Sequence, residues 1–482
     1  MNLVVPLLQA ADSRPENVAL RVGGESVTFS ALRGRVERVA AGFAAAGVQP
    51  GDRVAFALAN GTDFVVTYLA ALHAGAVAVP LDPGSPRPEL ERQLGSVTPT
   101  MWIGALDGSA ELDALGALDA TTVGPPIDRA DVELAALLFT AGTAGSPKAA
   151  MLTHGNLRSN IEQVQGHPGL RVRPDDIGLG VLPLFHVFGL NVVLGTALAA
   201  GGTTVLASDF HAASTAALVA SERITVVAGV PSMFAAWLAL PQSADDDFAT
   251  VRLAVSGAAP LSDHVARAFR ERFGVAVREG YGLTEASPIV TTTAVDDVLR
   301  PGSIGPPLPG VDVRLVDPDG DDVLAGDPGE IWVRGPNVFP GYWHDDAATA
   351  RVLTADGWLR TGDIAVADDD GYLSLVDRAK DLVIVSGFNV YPAEVESVLA
   401  EHPDVAEVAV VGVDDDRTGE ALVAFVVSVS GEPISASTLR SFVSARLARY
   451  KVPGSFELVA SLPRNPLGKV MRRVLDPDAP PD

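Results

Sequence analysis

The residues with the clearest potential for chemistry form a glycine-rich stretch, FTAGTAGSPK, at residues 139–148. An apolar run from Leu134 to Phe139 precedes it and has the length and composition of a buried strand. Small residues expose backbone N–H groups that can surround a polyphosphate, and Lys148 can offset part of its charge. Asn156, in the HGN that follows, is expected to cap a helix. The stretch therefore predicts a phosphate-binding loop, with an ordinary connecting loop as the alternative.

Two familiar phosphate-binding patterns do not match this stretch. A P-loop needs Ser or Thr directly after its Lys, whereas Lys148 follows Pro147 and precedes Ala149. No G-x-G-x-x-G follows a predicted strand with the acidic partner that a dinucleotide fold requires. The function of the stretch must therefore be judged from motifs elsewhere in the chain.

Length and composition restrict the class of protein. A chain of 482 residues is too long for one core, so about two to four domains are expected. The sequence has no cysteine, which excludes disulfides and thiolate metal sites. Any thioester chemistry must therefore take its thiol from a cofactor or a partner.

Charge and hydropathy restrict the partners and the compartment. A net charge of −25 argues against general nucleic-acid binding. The N-terminal MNLVVPLLQAADSRP lacks the basic region of a signal peptide, and no stretch approaches the roughly 20 apolar residues of a membrane-spanning helix. We expect a cytoplasmic protein with no membrane span and no nucleic-acid partner.

Helical and strand patterns alternate through the first part of the chain, which predicts parallel sheets covered by helices. The predicted helices are Ser30–Ala46, Phe64–Ala74, Ala212–Ser221, Met233–Leu240 and His264–Phe273, and the predicted strands include Arg53–Leu58, Ala76–Leu81, Ile177–Leu182, Thr203–Ala207, Thr225–Gly229, Leu253–Val255 and Val275–Arg278. From about residue 300, short strands between Pro/Gly-rich turns predict a β-rich subdomain. VDRAKDLVIVSG, which begins at Val376, marks the best boundary, and a new α+β pattern follows it.

The predicted architecture is accordingly α/β. A large N-terminal domain, residues 1–376, is expected to contain two parallel-type α/β subdomains and the β-rich subdomain. A small α+β C-terminal domain is expected over residues 377–482.

Three further motifs follow the first loop along the chain: YGLTE at 281–285, TGD with DRAKD at 361–363 and 377–381, and NPLGK at 465–469. In this order the four motifs resemble the adenylate-forming superfamily of acyl-CoA synthetases, luciferases and non-ribosomal adenylation domains. The resemblance covers nearly the whole chain, and it is specific as a set although each motif alone is weak.

The resemblance implies a two-step reaction. A carboxylate attacks the α-phosphate of ATP and releases pyrophosphate, and a thiol then attacks the acyl carbon of the acyl-AMP and releases AMP. Because two anions must meet in the first step, cations and backbone dipoles have to offset their repulsion. The implied cofactors are ATP, Mg²⁺ and CoA.

The resemblance also assigns roles to residues. Thr284 is expected to contact phosphate and Glu285 to hold Mg²⁺, which prefers hard oxygen ligands. Lys469 is expected to bridge the carboxylate and the α-phosphate as the main catalytic residue, with His186 beside the carboxylate. The remaining ATP-binding residues are Thr140, Ala141, Gly142, Thr143, Ala144, Gly145, Lys148, Ser256, Gly257, Ala258, Ala259, Gly280, Tyr281, Gly282, Asp363 and Arg378. The resemblance implies that the loop from Thr140 to Lys148 surrounds the β- and γ-phosphates and that the loop 256–259 and Tyr281 line the adenine. It also implies that Asp363 accepts from the ribose hydroxyls and that Arg378 contacts ribose or phosphate.

The same resemblance implies an acyl pocket and a moving domain. The acyl pocket is expected to contain His186, Val187, Phe188, Gly189 and Ala286. The C-terminal domain is expected to be mobile and to turn about Lys380 between the two steps, which brings Ser386, Gly387 and Phe388 to the site. Gly387 would let a pantetheine arm pass close to the backbone.

Each of these residues also has an ordinary structural interpretation. An isolated Asp363 would be a turn residue, Glu285 a helix cap, Lys469 a solvated charge and His186 a packed ring. The occurrence of the whole set in order favours the functional interpretation for Lys469, Glu285 and Asp363.

The phosphate loop departs from the usual Ser-Gly-Thr-Thr-Gly pattern. Ala141, Ala144 and Ala149 stand where Ser, Thr and Gly are usual, so two side-chain donors are lost. Each lost hydrogen bond to a charged group costs roughly 1.5–3 kcal/mol. Slower adenylation, or a nucleotide-binding homologue with impaired catalysis, is therefore one alternative.

PLFHVFG at 183–189 carries no acid that could bind a substrate amine, which argues against amino acids. We predict an AMP-forming acid–thiol ligase that acts on a medium- or long-chain fatty acid. An aryl acid, or a dicarboxylic acid bound by Arg300, is an alternative substrate. A carrier protein docked by the locally basic tail between Arg440 and Arg473 is the alternative to CoA as acceptor.

Overall fold

The structure of the protein is a computed structural model that separates into two compact units. The first unit comprises Met1–Val313 and Val333–Arg360, and the second comprises Arg314–Trp332 and Thr361–Asp482. The structure describes residues 1–104, 124–140, 148–241, 246–296, 298, 300, 302–378, 383–385, 388–390, 392–415, 419–447, 451–464 and 470–475.

The first unit contains two sheets with helices on their faces. Its helices are α1 Val4–Leu8, α2 Ala10–Ser13, α3 Phe29–Ala45, α4 Thr62–His73, α5 Arg87–Val97, α6 His154–Gly166, α7 Thr196–Ala200, α8 Ala212–Ser221, α9 Pro231–Leu238, α10 Asp263–Phe273 and α11 Asp346–Val352. A π-helix over Phe188–Gly195 and a 3₁₀ turn over Thr284–Ala286 complete this set. The π-helix was not predicted, because its apolar residues fit a buried helix and a buried strand equally well.

One sheet of the first unit has the order β5-β3-β4-β6-β7. Its strands are β3 Arg53–Phe56, β4 Val77–Pro80, β5 Met101–Ile103, β6 Leu134–Thr140 and β7 Lys148–Thr153. All its pairs are parallel except β6 with β7, which are antiparallel and place Thr140 opposite Lys148. This register brings the two ends of the predicted phosphate loop together.

The larger sheet of the first unit has the order β13-β12-β11-β10-β8-β9-β1-β2. Its strands are β1 Val18–Val22, β2 Glu25–Thr28, β8 Ile177–Gly180, β9 Thr203–Leu206, β10 Val226–Gly229, β11 Leu253–Ser256, β12 Val277–Gly282 and β13 Ile289–Thr292. The run from β12 through β11, β10, β8 and β9 to β1 is parallel. The carboxyl ends of these strands therefore meet at one edge, where ligands bind in open α/β sheets. A short strand, β14 Ser303–Gly305, follows along the chain.

Packing of apolar helix faces on the larger sheet forms a core. Phe234 and Trp237 of α9 lie edge to face with ring centroids 5.5 Å apart, and Phe269 of α10 meets Phe234 at 5.3 Å. The Trp237 indole N–H donates to Thr215 of α8 over 3.0 Å, so its polar atom is satisfied within the core. These contacts fix the helices that follow β10 and β11, and with them the loops at the ligand edge.

Helix α6 follows β7 directly and corrects one prediction. Thr153, and not Asn156, is its N-cap, since the Thr153 side chain accepts from the Asn156 N–H at 3.0 Å. Asn156 completes a capping box by accepting from the Thr153 N–H at 3.1 Å. The helix therefore begins at His154, earlier than an Asn156 cap implied.

The second unit contains strands and helices of its own. Strands β15 Asp312–Val316, β16 Gly329–Arg334, β17 Leu359–Ala367 and β18 Leu373–Arg378 lie in the order β18-β17-β16-β15, and a further sheet has the order β20-β19-β22-β21 with β23 paired to β22. That sheet comprises β19 Val383–Val385, β20 Phe388–Val390, β21 Val405–Asp415, β22 Gly419–Ser428 and β23 Ser455–Leu458, and it packs with α12 Pro392–Ala400 and α13 Ala436–Ser444 around Val395, Leu399, Val426 and Leu439.

The predicted fold class, an α/β protein with parallel sheets, a β-rich part and a C-terminal α+β part, is confirmed. The predicted domain boundary at residue 377 falls within β18 and stays a prediction. Among the described residues, no helix is both long and apolar enough to cross a membrane.

Candidate active site

The predicted adenine-binding segments are neighbours at the ligand edge of the larger sheet. β11 ends at Ser256, which pairs in parallel register with Glu279 of β12. Ser256 is fully buried, and its hydroxyl has no hydrogen-bond partner in the part of the chain that the structure describes. Ala258, two residues later, adopts a left-handed φ of 70°, which is strained for a residue with a Cβ and typical of functional loops. The Ser256 hydroxyl and the strained backbone at Ala258 are together consistent with a loop that binds a polar ligand.

Close packing explains two of the predicted glycines. A Cβ at Gly282 would lie 2.1 Å from the Pro288 carbonyl oxygen, so a side chain cannot fit there. A Cβ at Gly257 would lie 3.1 Å from the ring of Phe188. Gly282 thus allows the end of β12 to lie close to the residue that precedes β13. Gly257 allows the predicted adenine loop to lie close to Phe188 of the predicted acyl pocket.

Glu285 and Lys148 are brought together by Tyr342, a residue that sequence reasoning missed. The Tyr342 hydroxyl donates to Glu285 Oε1 over 2.7 Å, and Lys148 Nζ lies 5.1 Å from the centroid of the same ring. Burial, followed by the Glu285 charge, raises the pKa of Tyr342, so this hydroxyl stays a donor. Tyr342 lies in a Pro/Gly-rich turn segment, NVFPGYW, whose pattern gives no sign of a site.

Buried amide side chains hold the segment that carries Thr284 and Glu285. Asn337 donates to the Ala286 carbonyl over 2.8 Å. Asn160 donates to the Ile289 carbonyl over 2.8 Å and accepts from the Ile289 N–H over 3.2 Å. Asn191 donates to the Ser287 carbonyl over 2.8 Å. The segment predicted to bind Mg²⁺ is therefore held by side chains from three separate places in the sequence, which no local motif could reveal.

Glu279 is a second residue that sequence reasoning missed. Its side chain is buried, and Oε2 accepts from the Leu261 N–H over 3.2 Å, which ties β12 to the end of the predicted adenine loop. Burial raises the pKa of Glu279 to about 8, although the Leu261 N–H acts in the opposite direction. The carboxyl is consequently neutral at pH 7.

His186 lies in the predicted acyl pocket, with its ring 4.6 Å from that of Phe185. Burial lowers the pKa of His186 to about 4, so the imidazole is neutral at pH 7. It can therefore offer a hydrogen bond to a carboxylate but no charge. Val187 is buried in the core, Gly189 packs on the Pro183 carbonyl, and Ala286 is fully buried.

The phosphate loop is described only at its ends. Thr140 closes β6 and donates to the Lys148 carbonyl over 3.5 Å, while Lys148 opens β7. The predicted contacts of Ala141, Gly142, Thr143, Ala144 and Gly145 lie outside the described residues and stay predictions.

In the second unit, antiparallel pairing of β17 with β18 places Asp363 directly opposite Arg378. Asp363 is buried, and its N–H donates to the Thr361 hydroxyl over 3.1 Å. Asp363, predicted to contact the ribose, and Arg378, predicted to contact ribose or phosphate, are therefore neighbours on adjacent strands. Phe388 lies on β20. Lys380, Ser386, Gly387 and Lys469 lie outside the described residues.

The segments that flank Lys469 are anchored by ion pairs. Arg464 forms an antiparallel β-bridge with Val470, and its guanidinium lies 2.8 Å from Glu407. Arg472 donates over 2.6 Å to Glu396, whose other oxygen accepts from a backbone N–H of β21 at 2.7 Å. Both sides of the NPLGK motif are thus tied to the sheet of the second unit.

The donor atoms near Glu285 suit a magnesium ion. Within the described residues, no three His, Cys, Asp or Glu side chains gather into a metal site. Mg²⁺ is commonly held by one or two carboxylates together with phosphate oxygens of the substrate and water. Glu285 with the Thr284 hydroxyl therefore fits an ion that arrives with the nucleotide.

Comparison with known proteins gives the family. Residues 7–343 match the family model described as AMP-binding enzyme, and residues 394–469 match the one described as AMP-binding enzyme C-terminal domain. The chain is 40% identical to a feruloyl-CoA synthase of Amycolatopsis over 96% of both chains. It is 35% identical to a long-chain-fatty-acid–CoA ligase of Yersinia pestis over 95% of this chain and 92% of the relative. The ATP-bound crystal structure of MatB from Rhodopseudomonas palustris matches with a TM-score of 0.92 and 35% identity, over 98% of this chain and 97% of that one.

Proposed function

Since this chain belongs to the AMP-binding enzyme family and is an adenylate-forming CoA ligase, we propose that its substrate is an apolar monocarboxylic acid. Medium- and long-chain fatty acids are the first candidates. In the first step a carboxylate oxygen bonds to the α-phosphorus of ATP and pyrophosphate leaves. In the second step the sulfur of CoA bonds to the acyl carbon, its proton is lost and AMP leaves.

The observation that carries this proposal is an apolar cavity behind the candidate site. It lies between α6, the π-helix and the larger sheet, and its volume of about 40 Å³ is enough for a small part of an acyl group but not for the whole of a medium- or long-chain fatty acid. It is lined by Val164, Leu170, Val172, Gly178, Leu179, Val192, Val193, Thr196, Ala197, Val226, Ala228, Leu253, Val255 and Ile289. None of these described lining residues is charged, which suits a hydrocarbon group and not a second carboxylate or an amine.

Some of the lining residues are close in sequence to residues of the candidate site. Val255 directly precedes Ser256, and Ile289 follows Glu285 by one turn of chain. Val192 and Val193 belong to the π-helix that begins at Phe188. The lining lies further along this helix than the acyl residues predicted from PLFHVFG, so we extend the acyl pocket to Val193.

Arg300 does not support a dicarboxylic acid. It lines a different cavity, together with Glu279 and Thr293, and its guanidinium lies 2.8 Å from Asp296. A second carboxylate in the apolar cavity would therefore meet no cation among the described residues that line it.

We propose the remaining roles from the contacts of the described residues and, for Lys469, from the sequence motif alone. Glu285 would hold Mg²⁺, and together with Lys148 this ion would offset the charge of the phosphates and lower the repulsion that the incoming carboxylate meets. Neutral His186 donates one hydrogen bond to the carboxylate and orients it. Lys469 bridges the carboxylate and the α-phosphate, and Asp363 accepts from the ribose hydroxyls.

An aryl acid is the second candidate, because the feruloyl-CoA synthase is 40% identical over 96% of both chains. A carrier protein is less well supported as acceptor. Three charges of the basic C-terminal segment are offset by acids, with Lys451 at 2.6 Å from Glu394, Arg464 at 2.8 Å from Glu407 and Arg472 at 2.6 Å from Glu396.

Pyrophosphate exchange into ATP, measured with straight-chain fatty acids, hydroxycinnamic acids and dicarboxylic acids, tests the proposal. Exchange with a fatty or aryl acid, followed by acyl-CoA on addition of CoA, is expected. Exchange with dicarboxylic acids alone would contradict it.

Val193→Phe tests the cavity itself. The larger ring should fill about the volume of the cavity and lower kcat/KM for long acids at least tenfold more than for short ones. Thr196→Val is the matched control, since it keeps the size of a lining side chain and should leave the preference unchanged. Equal losses for long and short acids in Val193→Phe would place the acyl group elsewhere.

A further inference from the structure

Asn191 lies at the middle of the π-helix, between the ring that contacts the adenine loop and the residues that line the apolar cavity. Phe188, at the start of this helix, packs on Gly257, and Val192 and Val193 line the cavity. Short π-helical segments inside helices occur often at functional sites. Any acyl group that fills the cavity must therefore press on the two residues directly after Asn191.

The Asn191 side chain joins this helix to the metal-binding segment. It is buried, and its amide donates to the Leu157 carbonyl of α6 over 3.1 Å and to the Ser287 carbonyl over 2.8 Å. Ser287 closes the 3₁₀ turn that carries Thr284 and Glu285, and its N–H donates back to the Thr284 carbonyl over 3.2 Å. The Asn191 side chain is therefore a direct link between the π-helix and this turn.

The other two buried amides that bond to the segment after Thr284 come from outside the π-helix. Asn337 donates to Ala286 from the loop before α11, and Asn160 bonds Ile289 from α6. Neither residue belongs to the π-helix. Of these three amides, Asn191 is therefore the one through which filling of the acyl cavity can affect the position of Glu285.

We propose that Asn191 is a positioning residue that couples filling of the acyl cavity to placement of Thr284 and Glu285 for Mg·ATP. The proposal rests on the proposed function, because it takes the cavity as the acyl site. With the cavity filled, the π-helix is held in place, and the two hydrogen bonds of Asn191 hold the turn in the geometry that binds Mg²⁺. The acid consequently strengthens nucleotide binding, and the nucleotide strengthens acid binding by the same factor.

Calorimetric titration of α,β-methylene-ATP with Mg²⁺, in the absence and presence of octanoate, tests the proposal. Ferulate replaces octanoate if the exchange panel selects aryl acids. The acid should raise the affinity of the unsubstituted protein for the analogue about fivefold or more, and this factor should fall to about one in Asn191→Ala. Asn337→Ala is the matched control: it should lower the affinity in both conditions and keep the factor.

A purely structural role would lower the affinity without changing the coupling factor. An unchanged factor in Asn191→Ala, an equal loss of coupling in Asn337→Ala, or no coupling in the unsubstituted protein would each overturn the proposal. If Asn191→Ala does not fold, Asn191→Asp keeps the side-chain size and should also lose the coupling, since it turns both donors into acceptors that face carbonyl oxygens.

Hydrogen exchange needs no variant. Octanoate alone should slow exchange of the amides in segment 284–289 of the unsubstituted protein, and an unaltered rate would refute the coupling. Pyrophosphate exchange tests the proposed function separately: an active ligase without coupling refutes only the role of Asn191, whereas no exchange with any acid refutes the proposed function.

Discussion

Replacement of Glu279 by Gln tests how burial controls the candidate site. The pKa of Glu279 is raised from 4.5 to about 8 because the carboxyl is buried. The folded protein therefore keeps a proton that the unfolded chain releases above pH 4.5. The contribution of Glu279 to stability is therefore greatest below pH 4.5 and is lost as pH rises towards about 8. From pH 4.5 to pH 7 the loss is at most about 3.4 kcal/mol, at about 1.36 kcal/mol for each pH unit.

Glu279→Gln removes this titration, while the amide oxygen of the new side chain can still accept from the Leu261 N–H, which donates to Glu279 Oε2 in the unsubstituted protein. Urea denaturation at pH 5 and at pH 8 should show that the variant gains stability relative to the unsubstituted protein as pH rises, by about 1–4 kcal/mol. Arg278 and Arg300 line the same cavity as Glu279, but burial has the larger effect on the pKa of Glu279 and raises it.

Glu162→Gln is the matched control, because Glu162 is an exposed partner of Arg158 on α6. The stability of this variant should differ little between the two pH values. A difference between Glu279→Gln and the unsubstituted protein that is the same at both pH values would show that Glu279 is already ionised, and would refute the reasoning.

Three further predictions concern other parts of the molecule. Lys469→Ala should lower acyl-AMP formation about 10²–10³-fold but spare thioester formation from supplied acyl-AMP, as loss of a preorganised transition-state donor does; equal losses in the two half-reactions would contradict the assignment. Glu396→Gln should slow adenylation several-fold, because Glu396 anchors Arg472 beside the NPLGK motif. Glu394→Gln, a change on the same helix that removes the ion pair with Lys451, should leave the rate of adenylation unchanged. The pyrophosphate-exchange rates of the two variants test this prediction, and equal rates would contradict it. Burial lowers the pKa of His154 from 6.5 to about 4, so the unfolded chain binds a proton at a higher pH than the folded protein does. The contribution of His154 to stability should therefore be lost as pH drops from 6.5 towards 4. In His154→Leu, the melting temperature should fall less steeply over this pH range than in the unsubstituted protein.

The elements of the α/β units could be predicted from sequence because their patterns are local. Helix α8 has the predicted bounds, Ala212–Ser221, and the buried run at Leu134 is β6. The predicted phosphate loop follows the expected strand, and the register of β6 with β7, which was not predicted, brings its two ends together. Order along the chain was enough to place these motifs, since each depends on residues close together in sequence.

The supporting residues of the site could not be predicted in this way. Tyr342 and Asn337 reach Glu285 and Ala286 from more than 50 residues away, and an isolated Asn or Tyr carries no pattern that indicates its partner. Asn191 lies in an apolar stretch whose helical type the sequence does not define. Only the packed structure shows that these polar groups are buried together.

Glu279 is different, because its position could have been inferred from a longer strand. Burial alternates along β12, with Val277, Glu279 and Tyr281 on the buried face. The predicted strand ended at Arg278, so the alternation that places Glu279 among apolar side chains was lost. Extended through Tyr281, the same period puts one carboxyl of the REGYGLTE stretch in the interior, where it keeps its proton. Glu285 lies beyond the strand, on a turn where Tyr342 and Lys148 are its neighbours and a metal ion can reach it. Two glutamates six positions apart therefore differ in their surroundings, because one belongs to the strand and the other to the turn.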